Sequence, residues 1–227
     1  MPIQNIALLV FARSVEEETK HKPFFAKRSL AKSLNIHTQN IATQSGLPVI
    51  YVDETKQTGF DFGSRFSNAL KLGFNKGYDA LITIGNDCPF LQVKHIIEAK
   101  KVLENGNTVL GPTYDGGFYL LGLSRENFNP TTFNIFSWGT DCIFEEIKND
   151  FLKNQHHCYT LQKLRDIDFF SDLEKLNLQN ICNVALRKII QALTVTPIQN
   201  YDFIYISELK LLQPVIHNKG SPLLLAI

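Results

Sequence analysis

Two acids stand just past apolar runs, each beside glycine or proline. In Ile84-Gly85-Asn86-Asp87-Cys88-Pro89 the acid is Asp87, and in Leu110-Gly111-Pro112-Thr113-Tyr114-Asp115-Gly116-Gly117 it is Asp115. The runs before them, Ala80 to Ile84 and Thr108 to Leu110, read as buried strands. Residues at the carboxyl ends of such strands face the ligand crevice of an open α/β sheet. Two carboxylates delivered to one sheet edge suit a divalent cation and a phosphate-bearing ligand. Each motif also has a plainer reading. Asp87 serves equally as a turn or cap residue ahead of Pro89, and Asp115-Gly116-Gly117 as a hairpin turn. Gly116 and Gly117 permit either close backbone approach to a ligand or a positive φ.

Three further segments carry polar chemistry. Asp166-Ile167-Asp168 places two acids on the same side of an extended segment, where they could complete a cation site. Asp172, shortly after, reads as a helix cap. Trp138, the only tryptophan, lies in Ser137-Trp138-Gly139-Thr140-Asp141. A loop tryptophan is either a stacking platform for a base or sugar or a partly buried anchor. His156 and His157 are adjacent and diverge on any regular element, so a solvated turn is the expectation.

The elements that must position these residues alternate. Ile6 to Phe11 is a continuous apolar run, as expected of a central parallel strand covered on both faces. Phe24 to Ser45 reads as a helix stopped by Gly46, Pro48 to Val52 as a strand, and the stretch around Phe66, Ala69, Leu70 and Phe74 as a helix ending near Gly77. Ala80 to Ile84, then a helix over Val93 to Leu103, then Thr108 to Leu110 complete the alternation. This predicts an α/β fold with a mostly parallel central sheet between helical layers. Phe118 to Leu123 is a strand too, but only a Gly-rich turn separates it from its predecessor. A parallel crossover needs a dozen or more residues, so this strand is expected to be antiparallel or displaced. Asp141 to Phe151 reads as a helix, Tyr159 to Leu164 as an edge strand and Asp172 to Leu193 as largely helical.

The chain of 227 residues can bury one large core, which sets a first unit at 1–193. The remainder, 194–227, contains Pro197, Pro214 and Pro222 and ends in an apolar run. It is expected to pack on its own domain or, by exchange, to form a homodimer. A net charge of +1 gives no reason to expect nucleic acid as a partner. No apolar run approaches the ~20 residues of a membrane span. The start lacks a basic leader with a cleavage signal, and the four scattered cysteines form no Cys-x-x-Cys pair. Both features point to a cytoplasmic protein with reduced thiols.

Taken in order, Gly63-Ser64-Arg65-Phe66, Ile84 to Pro89, Gly111 to Leu123, Trp138-Gly139-Thr140-Asp141 and Asp166-Ile167-Asp168 with Asp172-Leu173 resemble a bacterial glycosyltransferase-A-like family of unknown function. It belongs to the nucleotide-diphospho-sugar transferase superfamily. It is similar to molybdenum-cofactor guanylyltransferase and 2-phospho-L-lactate guanylyltransferase. The resemblance covers nearly everything from Ile3 to Leu176. It implies the nucleotide-diphospho-sugar transferase fold, with a nucleotide or nucleotide sugar held over the carboxyl end of the first strand. It also implies Mg²⁺ or Mn²⁺ near Asp87, with Asp168 as a second ligand, and catalytic roles for Asp87 and Asp115. The implied nucleotide-binding set is Arg13, Lys20, Lys22, Arg65, Gly116, Gly117 and Trp138.

The first loop departs from the family. Phe11-Ala12-Arg13 matches, but the glycine and the basic run that usually follow are replaced by Ser14 to Pro23, with Glu16, Glu17 and Glu18 in succession. Either these acids line the crevice, where like charge opposes phosphate and Arg13, Lys20 and Lys22 must offset it, or they form a solvated helical turn. Two functions follow from the site, beside a third reading, an interaction module built around the tail. One is a metal-assisted glycosyl or nucleotidyl transferase, and the single acid in Asn86-Asp87-Cys88-Pro89 looks more like the nucleotidyl-transferring relatives. The other is a nucleotide- or sugar-binding regulator that keeps the fold without turnover. The base, sugar and acceptor are not legible.

Overall fold

The structure, a computed structural model, describes residues 3, 5–22 and 28–195. The apolar run Ile6–Phe11 forms β1, Val49–Val52 forms β2 and Ala80–Ile84 forms β3. β1 pairs in parallel with both of the others. The central position of β1 explains its composition. Ile6, Leu8 and Val10 enter one core, while Ala7 and Leu9 enter the core on the other face.

The strand after the Gly-rich turn, β5 (Phe118–Ser124), is antiparallel to β4 (Thr108–Pro112). It is also inserted between β4 and β3, to which it is antiparallel as well. The short turn forbade a crossover, and the chain responded by filling the gap with a returning strand. With β6 (Cys158–Thr160) the sheet has six strands in the order β2-β1-β3-β5-β4-β6.

Helices cover both faces. α2 (Ser29–Gln44), α4 (Val93–Glu104), α7 (Phe170–Glu174) and α8 (Val184–Val195) pack on the first core. α3 (Phe62–Asn75), α5 (Pro130–Ile135) and α6 (Ile143–Lys153) pack on the second. A short helix, α1 (Val15–His21), occupies the loop after β1. Among the described residues no helix is long and apolar enough to cross a membrane.

Two expectations need correction. The stretch from Asp172 to Leu193 is not one helix, because asparagines start new turns within it. The Asn177 carboxamide accepts from the Gln179 N–H at 3.2 Å, and Asn183 accepts from the Leu186 N–H at 3.0 Å. Such side-chain bonds compete with the helix ladder. The expected edge strand Tyr159 to Leu164 pairs regularly only to Thr160, then skips. Leu161 N–H donates to Leu110 O at 2.8 Å and Leu164 N–H to Pro112 O at 3.0 Å. β4 is itself irregular at Gly111/Pro112, and the ladder breaks there. The tail expected beyond Leu193, with its dimer exchange, lies outside the described residues apart from Thr194 and Val195.

Candidate functional site

The carboxyl ends of β1, β3 and β4 open on one edge of the sheet. Asp87 sits three residues past β3, and Asp115 three past β4. Between them lies the segment 164–168. Its Leu164 N–H is bonded to Pro112 O at 3.0 Å, at the end of β4, and its Ile167 N–H to Asp87 O at 2.9 Å, beyond β3. With Ile167 buried as the anchor, Asp166 and Asp168 both turn to the site. Oxygens of Asp115, Asp166 and Asp168 lie within 4.8 Å of one another. Asp166 is buried, Asp168 half-buried and Asp115 exposed, so the group runs from the core to the surface.

Hydrogen bonds fix the positions of Asp115 and Asp168. The Asp115 carboxylate accepts from the Thr113 hydroxyl and, at 3.1 Å, from the Gly117 N–H. Asp172 fixes the backbone of the neighbouring acid, accepting from the Asp168 N–H at 3.1 Å and the Phe169 N–H at 2.8 Å. Asp172 is therefore not the cap residue itself but the third residue of α7, reaching back to the backbone N–H of the N-cap Phe169.

The first loop supplies the counter-charge. Lys22 Nζ lies 3.1 Å from Asp168 Oδ1, 3.2 Å from Glu18 Oε1 and 3.7 Å from Asp87 Oδ2, and donates to Ile167 O at 2.8 Å. Burial alone would depress this amine. The carboxylates of Asp168, Asp87 and Glu18 more than offset it, and Lys22 stays charged well above the usual lysine range. The metal pair implied by the resemblance, Asp87 and Asp168, is thus bridged by an ammonium. The three oxygens that converge come from Asp115, Asp166 and Asp168 instead.

The three glutamates divide their roles. α1 begins at Ser14, whose hydroxyl accepts from the Glu17 N–H at 3.2 Å and is itself gripped by Glu54. A helical turn sends Glu16 outward to Arg28, and Glu17 to Lys20 and His21. Glu18 is 5% exposed and turns inward, between Lys22 and Arg13, whose Nη1 is 3.7 Å away. Lys20 is far more exposed and pairs with Glu17 at 3.0 Å.

Arg13 also lines a cavity of about 480 Å³ on the α2 side of β1. Its polar lining includes Lys32, Asn35, Asp53 and Asn86, and Asn86 is hydrogen-bonded to Asn35. Apart from Asn86 and Arg13, these residues carry no motif, and only the fold brings them together.

Of the remaining expected residues, Trp138 serves packing. Trp138 Nε1 donates to Phe133 O at 2.7 Å, and its ring contacts Phe62, Phe66, Phe118, Phe133 and Phe136. This is the anchor rather than the platform reading. Gly63 makes room for it, since a Cβ there would meet Trp138 Nε1 at 2.5 Å. Gly116 has φ +87°, and a Cβ on it would lie 1.8 Å from Asp141 O. Its glycine is required by the Trp-Gly-Thr-Asp loop against it. Gly117 contributes its N–H to Asp115. Arg65 is buried at the start of α3, on the other side of β1 from the cavity.

Residues 30–140 match a family described as an uncharacterized protein conserved in bacteria. The structure is similar to that of a candidate nucleotide-diphospho-sugar transferase from Desulfovibrio desulfuricans. That protein is 23% identical, the TM-score is 0.68, and the match covers 83% of this chain and 96% of that one. The likeness establishes the nucleotide-diphospho-sugar transferase fold. A Mycobacterium tuberculosis protein solved in complex with manganese matches at 14% identity and a TM-score of 0.42, over 76% of this chain and 98% of that one. A cytidylyltransferase from Leptospira borgpetersenii matches at 14% identity and a TM-score of 0.40, over 87% and 100%. Both superpose too loosely to carry an argument. Comparison with curated proteins gives no match.

Proposed function

We propose that the protein is a nucleotide-dependent transferase that moves a glycosyl or nucleotidyl group from an activated nucleotide, assisted by Mg²⁺ or Mn²⁺. The observation that carries this reading is the convergence of Asp115, Asp166 and Asp168 at the sheet edge. Asp87 stands beside them, and Asn86, its chain neighbour, lines the cavity on β1. The donor set is all oxygen, which suits a hard cation and not zinc. A volume of about 480 Å³ is in the range of small-molecule sites. The name given to the Desulfovibrio protein points the same way.

In this reading the nucleoside lies in the cavity, against Asn35, Asn86 and Lys32. Asp115, Asp166 and Asp168 hold the cation, which when bound neutralises charge developing on a phosphate oxygen. Lys22 orients Asp168 and Asp87 and adds a fixed positive charge beside the reacting phosphate.

Lys22 also favours a second reading. It already pairs with Asp87, Asp168 and Glu18, so it competes with a divalent cation for Asp168, one of the three converging acids. A regulator that binds nucleotide without turnover would tolerate that competition.

Isothermal titration of the full chain with nucleotides and nucleotide sugars, with Mn²⁺ and then with EDTA, separates these readings. Binding that needs Mn²⁺ and is lost in Asp168→Asn, with product seen by mass spectrometry, is the transferase result. Binding indifferent to both EDTA and Asp168→Asn would overturn it.

A further inference from the structure

Arg65 is only 7% exposed, yet its Nε and Nη2 have no hydrogen-bond partner among the described residues. Burying a guanidinium without partners costs several kcal/mol, so such a group calls for an explanation. The acid nearest in sequence, Asp61, is spent on capping α3. It accepts from the Ser64 N–H at 2.7 Å, and its own N–H donates to the Ser64 hydroxyl.

The surroundings add positive charge rather than removing it. Phe11 meets Phe62 and Phe66 edge-on, with ring centroids 5.7 and 5.3 Å apart. These contacts press the first turn of α3 against the end of β1, two residues before Arg13. Burial first, and then repulsion from Arg13, lowers the Arg65 pKa from the ordinary arginine value, with Asp61 opposing weakly. Arg13 itself shares its acid, Glu18, with Lys22. The buried Arg65 guanidinium therefore feels a second cation, Arg13, more strongly than its nearest acid, Asp61.

We infer that Arg65 forms an oxyanion subsite on the α3 side of β1, separate from the cavity on the α2 side, and that it takes the phosphate group of a second, acceptor-type ligand. The planar fork of arginine matches phosphate in two parallel hydrogen bonds. Nε and Nη2, on one edge of the guanidinium, are a pair suited to that geometry. Calling the ligand an acceptor rests on the transferase reading; the anion site itself does not.

The test is calorimetric titration of the full chain with inorganic phosphate and, separately, acetate, in EDTA. Phosphate is expected to bind, and Arg65→Met to weaken it about tenfold or more, the effect of losing a charge-assisted hydrogen bond. Arg65→Lys keeps the charge and loses the fork, and is expected to weaken phosphate binding as well. Without ligand, both variants are expected to melt no lower than the parent, because the arginine is unsatisfied there. Absent phosphate binding, acetate binding as tight as phosphate, or equal phosphate affinity in the variants would each overturn the inference. EDTA removes the cation, so failure here leaves metal-dependent nucleotide binding intact. Conversely, nucleotide binding that fails while phosphate binding persists would sink only the transferase reading.

Discussion

The Lys22 ammonium stands 3.1 Å from a carboxylate oxygen of Asp168, although the two are 146 residues apart in the chain. It ties the loop after β1 to the segment that crosses the strand ends. Each of these groups is mostly buried, and removing one partner of a buried pair leaves the other uncompensated. Lys22→Met is therefore expected to destabilise the protein by about 3 kcal/mol in EDTA. Mn²⁺ should restore much of that loss, since a cation can replace the lost charge. Urea unfolding with and without Mn²⁺ measures both. A loss that Mn²⁺ leaves unchanged would argue against a cation at these acids.

Among the three successive glutamates only Glu18 is buried, so their effects on anion binding should differ. Glu18→Gln frees Arg13 and Lys22 from a shared acid and is expected to strengthen binding of inorganic phosphate or nucleotide at low salt. Glu16→Gln, on the exposed side of α1, is expected to leave affinity unchanged. Titrations at low and high salt check both, and the gain from Glu18→Gln should shrink as salt rises, though less than for a surface pair.

His95 links stability to pH. It is 2% exposed, accepts from the Gln92 N–H at Nδ1, and its Nε2 has no partner among the described residues. Burial, assisted by the charge on Lys94, pushes it down from 6.5 to about 4. The unfolded chain therefore binds a proton in this window that the folded chain refuses. Stability is full above pH ~6.5 and falls as pH drops towards about 4, by at most about 3 kcal/mol from this group. His37, also lowered by burial, adds to the same trend. Chemical unfolding at several pH values should show a shallower slope in His95→Phe than in the parent.

Gly116 cannot carry a side chain. With φ +87° and Asp141 O at 1.8 Å from an added Cβ, Gly116→Ala must displace the loop that holds Trp138. A loss of about 3 kcal/mol or more is expected, from strain and lost packing together. Thermal unfolding monitored by the single tryptophan reads both the stability and the local rearrangement.

The sheet was largely legible because its strands are short apolar runs with turn signals behind them. Ile6 to Phe11 announced a strand buried on both faces, and the tight Gly-rich turn announced that Phe118 to Leu123 could not be parallel to its neighbour. Its insertion between β3 and β4 was not legible, since strand order depends on packing and not on local pattern. The helix after β1 was half legible. Ser14 followed by three acids is a capped first turn, but nothing local says that Glu18 alone points inward. At the site, Asp87, Asp115 and Asp168 could be found from strand-end position and family motif. The Lys22 contacts could not, because they join segments far apart in sequence. The cavity residues Lys32, Asn35 and Asp53 follow no motif at all. The lack of a partner for Arg65 Nε and Nη2 among the described residues is visible only in three dimensions.

The segment 164–168 lies across the strand ends like a clasp. β5 separates β3 from β4, so the Asp87 and Asp115 loops start two strand spacings apart, about 10 Å. Backbone hydrogen bonds at Leu164 and Ile167 close that span. Two of the converging carboxylates therefore ride on chain that is fastened to the sheet rather than woven into it. The assembled state of the acids is coupled to one amide proton, that of Ile167 on Asp87 O. Its exchange with deuterium reads the clasp without any substrate, and a cation that grips Asp166 and Asp168 should slow it while leaving the amides of β1 as they were.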